Sequence, residues 1–185
     1  MKRVTISVKT SDKTIAEKYP VIATIINSGS EVKYIKKDLP LPEHTYYFSC
    51  IDSKDKYSKG YQYCVCLIIS GLEIETNIPV SFLGHITKLV STYGSEKFSN
   101  SLKKILIEFK SKAKNETIEA TICSGCYLND KEKIDYDNIV TQATSILEEN
   151  NIKYKILDPK KESHISNNIF IKTDEQIFYD LRRYC

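Results

Sequence analysis

Between Ser95 and Leu157 the spacing of apolar residues switches from a helical period to an extended one, then repeats the switch. That succession limits the possible folds more than any other stretch. Phe98, Leu102, Ile105, Leu106 and Phe109 recur at three- and four-residue intervals opposite a lysine-rich side, which makes one apolar face of an α-helix. Ser95 is the expected N-cap, just after Gly94. Ile118, Ala120 and Ile122 then alternate within a strand from Thr117 to Cys123. A second helix is expected from Asp135, with Tyr136, Ile139, Val140, Ala143, Ile146 and Leu147 inward and Asn150-Asn151 at its end. Ile152 to Leu157 is the strand that follows.

The rest of the chain supplies strands for these helices to cover. Val4, Ile6 and Val8 alternate with polar residues in a first strand. Ser11-Asp12 can cap a helix carrying Ile15, Tyr19, Ile22 and Ile26, with Pro20 as a kink or a late start. Val32 to Ile35 is a short strand. Tyr46 to Ile51 and Tyr61 to Ser70 are expected to form a hairpin around a polar turn, Asp52 to Gly60. Gly71 allows another turn. His164 to Ile171 is a strand, and Asp174 is the expected cap of a last helix through Ile177, Phe178 and Leu181. Residues 77 to 93 fit two templates. As a strand, Phe82 to Thr87 leads on through Leu89-Val90. As a helix, Asn77 caps, Pro79 suits the first turn, and Val80, Leu83, Ile86 and Val90 share a face. The pattern is that of an α+β fold in one domain, residues 1–185, built as a two-lobed antiparallel or mixed sheet with helices on the outer faces. The second lobe covers roughly residues 114–172. A weak internal echo relates the halves: strand, helix, then Val32-Lys33-Tyr34 before His44, against strand, helix, then Ile152-Lys153-Tyr154 before His164.

Composition narrows the functional classes. With 41% hydrophobic and 28% charged residues the chain belongs with globular proteins. A net charge of +3 is too small for a protein that coats duplex nucleic acid. No apolar run reaches the roughly 20 residues of a membrane span, and the first residues enter a strand directly, so a cytoplasmic protein with reduced thiols is expected.

Two tripeptides carry the functional reading: His85-Ile86-Thr87 and His164-Ile165-Ser166. On a strand, residues i and i+2 face the same side, so imidazole and hydroxyl would point together in each. Two such pairs across a groove would supply a base, an acid and hydroxyl donors for phosphate oxygens, with no cofactor and no metal. In this pattern and element order the chain resembles the two-histidine (2H) phosphoesterase superfamily and its LigT-like fold. The resemblance covers residues from about 80 to 172. It implies His85 and His164 as the acid–base pair and Thr87 and Ser166 as phosphate holders. It also implies a small nucleotide or oligonucleotide partner, 2′-5′-linked or cyclic, as for viral members that destroy 2′-5′ oligoadenylate or cyclic dinucleotides in a host cytoplasm. The internal echo instead pairs His44 with His164, and that alternative stays open, as does which imidazole is acid and which is base.

Other readings compete. The chain could be a non-catalytic interaction or immune-evasion protein. Cys64, Cys66, Cys123 and Cys126 could hold zinc as four thiolates; as buried thiols they are small apolar residues. Lysine clusters at 103–104, 110–112 and 160–161 are expected to be solvated faces. Nothing in the sequence sets the oligomeric state.

Overall fold

The computed structural model describes residues 4–9, 24–25, 27–32, 45–61, 64–124, 129–157, 164–173 and 177–184. They form an α+β molecule of two mixed sheets. The first sheet has the order β1 (Val4–Lys9), β10 (Ile177–Tyr184), β9 (His164–Lys172), β4 (Lys56–Lys59), β2 (Ser30–Glu31). Its two outer pairs, β1 with β10 and β2 with β4, are parallel; β9 is antiparallel to both neighbours. The second sheet runs β3 (Tyr46–Phe48), β6 (Pro79–Thr87), β5 (Cys64–Leu72), β7 (Glu119–Ser124), β8 (Lys153–Leu157), with only β7 and β8 parallel.

The second sheet is the centre of the molecule because both of its faces are apolar. Val65, Leu67 and Ile69 of β5 point one way, and Cys66 and Ile68 the other. The first face packs under α1 (Ser95–Lys112) and α2 (Asp130–Glu149). Phe98, Leu102, Leu106 and Phe109 of α1 are all fully buried there. The opposite face meets the first sheet, where Cys66, Ile68, Leu83 and Cys123 pack with Val32, Tyr61, Ile169 and Ile171. The order of layers is therefore helices, second sheet, first sheet.

Several sequence expectations are corrected. Of the two templates for residues 77–93 the strand is the one present, at 79–87, but it does not run on through Leu89-Val90: the chain turns through a five-residue π turn, Val90–Gly94, directly into α1. Ser95 is consequently the first residue of that helix and not its cap; its carbonyl and hydroxyl accept from Gln142 Nε2. The second helix begins at Asp130, five residues early, because Asn129 caps it by accepting from the Glu132 amide. Tyr46–Phe48 does not form a hairpin with β5. The tight connection at 73–78 instead folds β6 onto β5, and β3 pairs with the far edge of β6. Asn77 takes a left-handed φ of 59° in that turn, a conformation asparagine tolerates. Gly71 lies inside β5 and makes no turn. Within the expected polar turn, Lys56–Lys59 is a strand. The expected last helix is strand β10, hydrogen-bonded between β1 and β9. Expectations for residues 11–23, 33–44 and 174–176 lie outside the described residues.

Candidate functional site

His85 sits in the middle of the second sheet, paired with Tyr47 of β3 on one side and Cys66 of β5 on the other. Its side chain points toward the first sheet and is 1% exposed. Tyr61 stacks on the ring at 4.0 Å and 18°, and Tyr47 meets it edge-on at 6.5 Å. Ser58 of β4 reaches across the layer to His85 Nδ1 at 3.0 Å. The Ser58 hydroxyl donates to the Val32 carbonyl at 2.5 Å. A hydroxyl has one proton, so Nδ1 must be the donor to Ser58. The tautomer follows from this network: Nδ1 carries the hydrogen, and Nε2 presents a bare lone pair. Among the described residues, that buried nitrogen has no hydrogen-bond partner. Burial lowers the pKa of His85 to about 4, so the ring is neutral at pH 7.

Thr87 shares the face of His85, two residues on, and is also buried. Its hydroxyl donates to the Thr45 carbonyl at 2.9 Å, and its amide donates to the same oxygen. Thr45 in turn lies against Gly94, where an added Cβ would stand 2.5 Å from the Thr45 hydroxyl. A glycine is thus required for the π turn to pass this close. Ser58, Tyr61, Tyr47 and Thr45, which build the surroundings of His85, carry no motif by which sequence reasoning could find them.

The second tripeptide opens β9, with His164 opposite Tyr184 and Ser166 opposite Arg182. The two tripeptides therefore occupy strands of the two facing sheets. They do not lie at the same level. Ser58, which touches His85, pairs with Ile169. His164 begins the strand five residues earlier, an offset of about 16 Å along β9 at the usual rise per residue. His44 lies outside the described residues.

A second polar cluster ties the sheets together beyond His85. Lys56 of β4 is completely buried. Its ammonium donates to Asp52 Oδ1 at 2.7 Å, to the Asp52 and Lys54 carbonyls at 3.2 and 2.9 Å, and to Ser81 Oγ of β6 at 3.2 Å. Burial lowers its pKa, opposed by the hydrogen bond and charge of Asp52. Ser81 also bonds Thr173, just past β9, at 2.8 Å.

Among the described residues, surface cavities lie elsewhere. One of about 460 Å³ runs between α1 and α2, lined by Ser95, Ser99, Thr141, Gln142 and neighbours. One of about 320 Å³ is lined by Lys88, Tyr93, Lys131, Glu132 and Asp135 among others. Cys64, Cys66 and Cys123 border the layer between the sheets, while Cys126 lies outside the described residues. Among the described residues, no three His, Cys, Asp or Glu side chains gather in a way that could hold a metal ion. Lys103 pairs with Glu149 and Lys112 with Glu108 on exposed helix surfaces. No helix of the described residues is long and apolar enough to cross a membrane. No protein family model and no curated protein sequence matches this chain.

Proposed function

We propose that the chain is a metal-independent phosphodiesterase of the two-histidine type, acting on 2′-5′-linked or cyclic nucleotides. One observation carries the reading: a neutral His85 oriented through Nδ1, with a buried Nε2 lone pair that no group among the described residues satisfies. A buried polar atom left without a partner calls for an explanation, and a proton acceptor at work is one. The placement of the two tripeptides on facing sheets, with helix, strand, helix and strand between them, adds support. In this reading one of His85 and His164 takes the ribose hydroxyl proton and the other protonates the leaving oxygen. Thr87 and Ser166 hydroxyls hold the phosphate oxygens. The geometry sets two conditions on such a cycle. Tyr61 must leave the face of His85, which would return the imidazole toward its ordinary pKa and make it a useful base. The Thr87 hydroxyl must leave the Thr45 carbonyl.

A second reading, a non-catalytic interaction protein, is favoured by the enclosure of His85 and by the offset of His164 along β9. One experiment separates the two. Purified protein with EDTA is incubated with 2′-5′ oligoadenylate, 2′3′-cyclic GMP-AMP and a 2′,3′-cyclic nucleotide. The enzyme reading expects turnover that survives chelation and is lost in both His85→Ala and His164→Ala. Loss in His44→Ala with His85→Ala still active moves the site to His44. Absence of turnover on all three substrates leaves the interaction reading.

A further inference from the structure

The cysteines are not used by the proposed phosphodiesterase, and the fold pairs two of them. Cys66 of β5 stands directly opposite Cys123 of β7 in an antiparallel ladder. Opposed residues of such a ladder have Cα atoms about 4.5 to 5.5 Å apart, inside the 4.4–6.8 Å range that a disulfide spans. Both side chains leave the same face of the sheet and belong to the same packed cluster. Both are reduced cysteines. In sequence, Cys66 lies nearest to Cys64 and Cys123 nearest to Cys126. Register, and not chain proximity, brings Cys66 to Cys123.

We propose that Cys66 and Cys123 are a cross-strand dithiol that closes to a disulfide by exchange with a small disulfide such as oxidised glutathione. The thiolate of one cysteine attacks a glutathione sulfur and expels one glutathione thiolate. The second cysteine attacks the mixed disulfide and expels the other. Two protons pass from the protein thiols to the two glutathione thiolates, so the dithiol is oxidised by two electrons and two reduced glutathiones are formed. Closure needs side-chain rotation and a small approach of two strands, with no change of register. Because both sulfurs are buried, oxidation is slow and proceeds through local opening. Cys66 also pairs with His85 on its other side, so closure fixes the strand beside that histidine whatever chemistry the histidine performs.

The test is disulfide mapping of the wild-type protein. Native protein is equilibrated with oxidised glutathione, quenched in acid, alkylated and digested for mass spectrometry. The expected product is one cross-linked peptide pair joining Cys66 to Cys123, reversed by excess reduced glutathione. It should be absent in Cys66→Ala and in Cys123→Ala. The inference is overturned if both cysteines are recovered alkylated after full equilibration. It is also overturned if the dominant bridge joins either one to Cys64 or Cys126. The mapping uses no nucleotide, so its outcome is independent of the phosphodiesterase assay.

Discussion

His85 shows how one ring can be held by what surrounds it. Its Nδ1 hydrogen is fixed by a serine whose own proton goes to a carbonyl, while Tyr61 stacks on one face and Tyr47 meets the ring edge-on. The consequence for stability has a definite sign. The unfolded chain binds a proton at His85 with a pKa near 6.5, and the folded chain binds it only near 4. Below pH 6.5 the unfolded state therefore holds more protons, and stability falls as pH drops. The loss runs from about pH 6.5 to about pH 4 and totals about 3 kcal/mol. Urea unfolding across that range should reveal the slope, and His85→Asn should remove it. An unchanged slope in that variant would place the titration elsewhere. The tripeptides themselves could be found in the sequence. The enclosure could not, because Ser58 approaches from the other sheet and Tyr61 from just past the end of β4.

Elements were legible where burial follows hydrophobicity and obscure where it does not. Helices α1 and α2 and strands β5, β7 and β8 show in their apolar spacing, while the spacing of β6 suits a helix as well as a strand. Strand β4 does not show there, because two of its inward residues are Lys56 and Ser58, each buried through hydrogen bonds and invisible to any hydrophobic pattern. Strand β10 looked helical because Ile177, Phe178 and Leu181 suit a helix stripe, while Ile177, Tyr179 and Leu181 suit a strand equally well. The choice is made by β1 and β9, which offer backbone partners on both sides. Where pattern and packing agree, the energetic test is direct. Leu106 is fully buried under α1, and its neighbour Ile107 is 67% exposed. Leu106→Ala should cost about 2–5 kcal/mol in denaturant unfolding, and Ile107→Ala no more than about 0.5 kcal/mol. Equal effects would contradict the orientation of the helix.

For the molecule as a whole, the layering predicts where the structure opens last. Strand β5 is paired on both edges and buried on both faces. Its amides from Val65 to Ile69 should exchange slowest with solvent, at a rate set by global unfolding, and those of edge strand β8 much faster. Hydrogen exchange resolved by residue would measure this, and a fast-exchanging β5 would refute the layer order. The same layering gives the Lys56 cluster its meaning. Packed hydrocarbon between two sheets resists sliding through its shape, and a directed polar contact adds a fixed position to that fit. An ammonium seated among four oxygens, one of them on the opposite sheet, has no second seat a strand's step away. It works as a locating pin between β4 and β6, beside the Ser58–His85 contact that joins the same two sheets.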